Sequence, residues 1–410
     1  MGIKCYTDNI LKERNMEKLK LGLFVDTWYP MVDGVVMVVD NYARRLSKDY
    51  DVTVFCPACH GKYDKEFPYK VVRCKTMKLS FLDYELPTPN YDKKFKKILD
   101  ESNLDIVHIH SPFGVAKMGV NYAKKHNIPV VATLHSQFEQ DFFRATKSKF
   151  LTKIMLKKIM KVFNKCDEYY AVNAKISEIF QRYGAKHLPP VQRNGTDLLP
   201  IEDEQKAIDF INTKYNINPS TPVFLFVGRI NKLKNIYFIA ESLSKLKTRD
   251  YKMIFVGDGQ DKAPFEKYVE TLGIADNVIF TGKIFDRYEI CSLYLRAKLF
   301  LFPSMYDASS LVQIEAASQK TPTIFLEGSA TSATVTDNVN GYICENSTDK
   351  FAQKIEDILS NEDEYQRISR GAYSDLYVTW DDCAKEISEK YHQMIEKKKS
   401  STPNDKNSCN

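Results

Sequence analysis

Apolar runs alternate with amphipathic stretches along most of the chain. KLKLGLFVD at 18–26 reads as a buried strand, and Val36–Ser47 has the spacing of a helix. Asp51–Phe55 and Lys70–Cys74 are strand-like, Tyr91–Glu101 helical, Asp105–His110 a strand, Val115–Lys125 helical and Pro129–Leu134 a strand. A helix near 150–164, a strand at Glu168–Val172 and a helix to about Tyr183 follow. The pattern then starts again with strands at Val223–Val227, Lys252–Val256, Asn277–Phe280, Leu299–Phe302 and Thr323–Phe325, with helices between them that include Gln313–Ser318 and Lys350–Leu359. A last helix spans Asp382–Met394. Strands in near-continuous apolar runs, each followed by a helix, predict an α/β protein with doubly wound parallel sheets.

The polar stretch 198–221 marks a boundary between the two series. The expected organisation is an N-terminal extension (1–17), a first Rossmann-like domain (18–200), a second (201–381), a last helical segment (382–396) and a disordered tail (397–410). A length of 410 residues suits two domains. No run reaches the roughly 20 apolar residues of a membrane span, and the first residues lack the apolar core of a signal peptide. The reading is cytoplasmic. Nine cysteines then read as reduced thiols. Their one close pair, Cys56-Pro-Ala-Cys59-His60, has the form of a haem or redox motif, but it lacks an export signal or a second ligand pair and reads as a strand end entering a loop.

Charge is unevenly divided. Residues 1–200 hold 33 Lys/Arg against 22 Asp/Glu, whereas the remainder holds 26 against 31. Much of the excess lies in 142–165, where eight Lys/Arg occur with no acid. Lys149, Lys153, Lys157 and Lys161 recur every fourth position, and Leu151, Met155, Ile159 and Val162 or Phe163 form an apolar stripe. Such a helix can lie on an anionic membrane or can pack its apolar stripe on a sheet with the lysines solvated. No recognition motif for nucleic acid accompanies the charge.

Three loops carry candidate chemistry. Asp26 to Asp33-Gly34 runs from a strand into a helix, where exposed N–H groups suit a phosphate. Val227-Gly-Arg229-Ile-Asn-Lys-Leu-Lys234 puts two cations after a strand, suited to neutralising a departing diphosphate. Phe302-Pro-Ser-Met-Tyr-Asp307-Ala-Ser-Ser-Leu-Val-Gln-Ile-Glu315 sets two carboxylates eight positions apart, with Ser309, Ser310 and Leu311 at a helix start between them. Carboxylates accept from sugar hydroxyls, and helix-start N–H groups suit phosphate or sugar oxygens. His108 and His110 share one strand face, but no third metal ligand accompanies them, and they read as packing or lining residues.

These segments resemble the family 4 glycosyltransferases. VGRINKLKN, GDGQ at 257–260, FTGKI at 280–284, the acidic pair, NGY at 340–342 and RNGTD at 193–197 occur in the family's order. The resemblance implies a GT-B fold: two Rossmann-like domains facing a cleft, with a C-terminal helix crossing back. It implies a retaining hexosyltransferase that needs neither metal nor cofactor. Its residue roles carry over as follows: Glu315 on the ribose, Asp307 on the transferred sugar, Arg229 and Lys234 on the diphosphate, Ile284 at the base, Gly34 near the diphosphate, and His135 near the donor sugar or reacting centre. Asp307 stands where the family usually has glutamate, and Ala308-Ser309-Ser310 replaces a glycine-rich loop. The reading is transfer from a nucleotide sugar, UDP-linked, to a membrane lipid or glycolipid at the inner face of the plasma membrane. Capsule or exopolysaccharide assembly is the alternative acceptor system, and a non-catalytic nucleotide-sugar-binding subunit is the alternative class.

Overall fold

The structure, a computed structural model, describes residues 18–31, 33–58, 66–77, 86–248 and 250–401. The extension 1–17, Cys59, His60 and residues 402–410 of the tail lie outside the described residues.

The first sheet contains β1 (Lys20–Phe24), β2 (Asp51–Pro57), β3 (Lys70–Cys74), β6 (Ile106–Ile109), β7 (Val130–Leu134) and β8 (Glu168–Ala171), in the order β3-β2-β1-β6-β7-β8. A small antiparallel pair, β4 (Thr76–Met77) and β5 (Leu86–Pro87), stands apart from it. β1 pairs in parallel with β2 and with β6 (Leu21 with Val52, Leu21 with Ile106), so the winding reverses between β1 and β6. Both faces of these strands are covered, which explains their unbroken apolar runs. The buried carboxylate of Asp26, just after β1, accepts from Ser111 Oγ (2.6 Å) and from the N–H groups of Phe113 and Val115 (3.1 and 2.6 Å). It therefore ties the end of β1 to the loop after β6 and caps the helix Gly114–Lys125. Burial raises its pKa, and the donated hydrogen bonds oppose that rise.

The second sheet contains β9 (Val223–Val227), β10 (Lys252–Val256), β11 (Val278–Gly282), β12 (Leu299–Leu301), β13 (Thr323–Leu326) and β14 (Tyr342–Cys344), ordered β11-β10-β9-β12-β13-β14. β9 pairs with β10 (Val223 with Lys252) and with β12 (Leu299 with Phe224), all in parallel, so the winding reverses between β9 and β12. Stacked rings fill its core, among them Phe226 on Phe302 and Phe255 on Phe280. Glycine is required where β9 and β10 end. Gly257 has φ +135°, and a Cβ there would stand 1.9 Å from the Gly228 carbonyl oxygen. Gly195 of RNGTD meets the same constraint, because its Cβ would fall 2.6 Å from the Thr379 carbonyl carbon.

Packing divides the chain differently from a cut at 200/201. One unit comprises Met1–Leu134, Ile154–Tyr170 and Ala384–Asn410, and the other His135–Lys153 and Ala171–Cys383. The reason lies in side chains that bond far along the sequence. Gln137, Asn173 and Asn194 all donate to residues 306–309, and Thr196 bridges to Thr379.

Three helical segments depart from the sequence reading. Residues Glu204–Tyr215 form a helix inside the polar boundary, capped by Asp203 and buried at Ala207 and Ile211. Phe138–Thr146 is a separate short helix. The last helix is longer than 382–396, running Trp380–Ser400 into the segment expected to be disordered. Its later part packs within the first unit, where Tyr391 OH lies 2.5 Å from His108 Nδ1. The other ring nitrogen of His108 lies 2.7 Å from Thr133 Oγ1, so this histidine is a packing residue. The six described cysteines are buried thiols, and Cys56 lies inside β2.

Candidate active site

In an open parallel sheet, ligands gather at the carboxyl ends of strands where the winding reverses. In the second unit that point lies between β9 and β12. β9 runs into Gly228, Arg229 and the short turn Lys232–Lys234, while β12 runs into Phe302 to Asp307. The adjacency of β9 and β12 thus brings Lys234 and Asp307, distant in sequence, together.

Lys234 Nζ lies 2.6 Å from Asp307 Oδ1, with side chains 21% and 16% exposed. The same ammonium stands 5.6 Å from the centre of the Phe302 ring. Asn231 caps the turn by accepting from the Lys234 N–H, and Asn235 Nδ2 donates to the Pro303 carbonyl, so both loops are bound to each other. The second carboxylate oxygen of Asp307 is buried with no hydrogen-bond partner among the described residues. A buried, unmatched acceptor is costly unless a ligand donor reaches it. Arg229, which follows β9 directly after Gly228, is exposed.

After Asp307 comes the helix Leu311–Ser318. Ser310 is its N-cap, accepting from the Gln313 N–H (3.2 Å), which leaves Leu311 at its first position. Glu315, in its second turn, accepts from Tyr294 OH (2.8 Å). Burial raises the Glu315 pKa, with the Tyr294 bond and the Arg287 charge opposing the shift. Ile284 sits in the loop after β11, half-buried against the same core.

The side chains that hold the Asp307 loop carry no signal in the residue order. Gln137 Nε2 donates to the carbonyls of Tyr306 and Asp307 (3.2 Å each), Asn173 Nδ2 to that of Ala308 (2.7 Å), and Asn194 Nδ2 to Ser309 Oγ (3.0 Å). Tyr306 OH donates to Asp141 (2.7 Å), and the Arg144 guanidinium lies over its ring. Four consecutive residues are therefore each fixed by a side chain. An Ala-Ser-Ser loop, which lacks the freedom of glycine, suits such a fixed geometry.

His135 follows β7, and burial pushes its pKa down to about 3. The folded protein therefore disfavours its protonation. Its contribution to stability is complete above the ordinary histidine pKa near 6.5 and is lost as pH falls toward 3. Thermal unfolding between pH 4 and 8 is expected to show less acid destabilisation in His135→Asn than in the wild type. Equal pH slopes would contradict the assignment.

Gly34 belongs to the first unit, at the start of the helix Gly34–Leu46, whose N-cap Asp33 accepts from the Val36 N–H. A Cβ at Gly34 would meet nothing within 4 Å. The basic helix spans Lys149–Phe163. Lys149, Lys153, Lys157 and Lys161 are exposed, while Leu156, Ile159, Met160, Val162 and Phe163 are buried. The apolar stripe is corrected at one end: Leu151 is 47% exposed and Phe150 beside it 73%.

Residues 32–198 match the family described as Glycosyltransferase Family 4, and residues 207–375 match that described as Glycosyl transferases group 1. The chain belongs to the family 4 glycosyltransferases. It is 26% identical over 384 residues to the alpha-monoglucosyldiacylglycerol synthase of Acholeplasma laidlawii, covering 86% of this chain and 92% of that one. The protein of the same name from Streptococcus pneumoniae is 24% identical over 313 residues, covering 75% and 70%. In fold, this glycosyltransferase is similar to Anabaena HepE solved in complex with UDP, with a TM-score of 0.74 at 15% identity, covering 92% of this chain and 100% of that one. The two parallel-sheet units are those of the GT-B fold.

Proposed function

We propose that this enzyme transfers a hexosyl group from a UDP-linked donor to a membrane lipid, diacylglycerol or a glycolipid, with retention of anomeric configuration and without a metal ion. The observation that carries the proposal is the Lys234–Asp307 pair at the point where the second sheet reverses, with Arg229 exposed at the end of β9. A departing UDP develops charge on its β-phosphate. Fixed guanidinium and ammonium groups can take up that charge, each worth on the order of 4 kcal/mol of Coulomb energy at about 4 Å and an effective dielectric near 20, before desolvation. The donor diphosphate would share Lys234 with Asp307. The unmatched Asp307 oxygen would then accept from a hydroxyl of the transferred sugar, and Glu315 from the ribose. Attack by the acceptor hydroxyl on the face that the diphosphate leaves gives retention.

The lipid acceptor is supported by the names of the two relatives and by the basic helix. No helix among the described residues is long and apolar enough to cross a membrane. Exposed Lys149 and Lys153 instead flank exposed Phe150 and Leu151 along the helix, an arrangement suited to a surface contact in which apolar tips enter the interface and cations meet anionic headgroups. Each well-placed lysine adds about 1 kcal/mol, or about fivefold in affinity. Lys149→Ala combined with Lys153→Ala and Lys157→Ala is expected to weaken binding to phosphatidylglycerol vesicles by about a hundredfold, with little change on phosphatidylcholine vesicles. Equal sedimentation of the wild-type protein with both vesicle types would remove the membrane role.

A direct test of donor and stereochemistry is proton NMR of the product formed from UDP-α-glucose and diacylglycerol. An α-linked glucolipid is expected. A β-linked product would refute retention, and turnover with GDP-sugars alone would refute the donor.

A further inference from the structure

A cavity of about 260 Å³ lies within the second unit, on the far side of the helix Leu311–Ser318 from Glu315. Gln313 and Glu315 are two residues apart, hence about 200° around the helix axis, so they face opposite ways. Glu315 meets Tyr294, whereas Gln313 lines the cavity. Gln313 is 2% exposed. One end of its amide is held by Thr334 Oγ1 at 2.7 Å, and the other end is buried with no partner among the described residues. Thr334 Oγ1 also lies 2.7 Å from the Thr331 carbonyl, so its single proton can serve either oxygen. Whichever way the amide is turned, one of its two polar atoms is left for the cavity. An unmatched buried amide of this kind is destabilising until something satisfies it.

The rest of the lining indicates what would do so. Arg193 and Asp375 supply one cation and one anion, which gives the cavity no net attraction for a charged ligand. The Asp375 carboxylate already accepts from Asn340 Nδ2 (3.0 Å). Val172 and Leu376 form an apolar wall. Mixed donors and acceptors around an apolar patch match a ring whose rim carries hydroxyls and whose face carries C–H groups. A hydroxyl can also donate to or accept from the Gln313 amide in either orientation. The volume is below the range of about 300–1,000 Å³ usual for drug-sized ligands. We propose that this cavity binds one neutral monosaccharide ring, distinct from the donor, supplied either as a free hexose or as the sugar of a lipid-linked acceptor. Through Ser309, which also lines the cavity and accepts from Asn194, the bound ring would touch the back of the loop that carries Asp307.

The proposal does not rest on the donor reading, and its test separates the two. Saturation-transfer NMR on the full chain, with saturating UDP present, would measure binding of D-glucose, D-galactose, glycerol and monomeric octyl glucoside. A hexose is expected to bind saturably alongside UDP, and more tightly than glycerol. Gln313→Leu is expected to weaken that binding by about tenfold or more, as loss of a buried hydrogen bond requires. Thr334→Val, which frees the amide, should act in the same direction if Gln313→Leu does not fold. Glu315→Gln should weaken UDP binding and leave hexose binding intact. Octyl glucoside binding as tightly as glucose would identify the lipid-linked source, and its exclusion the free sugar. No saturable hexose binding up to about 0.1 M, glycerol binding as tightly as hexose, or displacement of the hexose by UDP would overturn the site.

Discussion

Replacing Lys234 with alanine is expected to lower kcat for sugar transfer by about 10²–10³-fold, with a much smaller change in the KM for the donor. The ammonium is held 2.6 Å from Asp307 Oδ1 and above the Phe302 ring, and on the proposed reading it would meet the charge that develops on the leaving phosphate. An interaction that strengthens in the transition state appears in kcat, whereas one equal in both states appears in KM. The substitution also leaves the Asp307 carboxylate, 16% exposed, without its cation, while its second oxygen already lacks a partner among the described residues. Breaking such a pair costs more than never having built it. Asp307→Asn with Lys234 intact is the control, because it removes the stranded charge while keeping the cation. Steady-state kinetics with UDP-glucose check this. A rise in KM with unchanged kcat would show that Lys234 only holds the donor.

Glu315→Gln is expected to weaken UDP binding by about 10–100-fold, the worth of one or two hydrogen bonds to a charged acceptor. The same substitution is expected to raise the thermal stability of the ligand-free protein at neutral pH. Burial lifts the Glu315 pKa, so the fold favours its protonated form. The stability linked to that proton is complete below the ordinary carboxylate range and is lost as pH rises through the raised value. Neutral glutamine keeps a partner for Tyr294 without that loss. Calorimetric titration of UDP and unfolding curves at pH 5 and 8 test both halves. A variant that loses stability equally at both pH values would show that Glu315 supports the fold and not the ligand.

Much of this site is legible in the residue order because the strands that carry it are buried on both faces. VFLFV at 223–227 and LFLF at 299–302 stand out as unbroken apolar runs, and Gly228 and Pro303 directly after them mark strand ends. The sequence could not show that Lys234 and Asp307 touch, because 73 positions separate them and their meeting depends on the strand order β9-β12. The grip of Gln137, Asn173 and Asn194 on 306–309 is further from view, with each amide lying more than a hundred residues from its acceptor. Local polarity misled at Glu204–Tyr215, a helix whose mostly solvated surface resembles a linker, and in the last helix, whose lysine-rich end remains helical to Ser400. Periodicity alone puts Leu151 on the apolar stripe, and periodicity does not show where a helix outruns the surface it packs on.

The central claim is that fixed cations from the strand ends, with no divalent ion, carry the leaving diphosphate while the sugar passes to a lipid. The most direct measurement is the rate of transfer of radiolabelled glucose from UDP-glucose to diacylglycerol in phosphatidylglycerol vesicles, with and without excess EDTA. Labelled glucolipid should form at the same rate in both, and Arg229→Ala together with Lys234→Ala should abolish it. Formation that stops in EDTA, or that survives loss of both cations, would contradict the account.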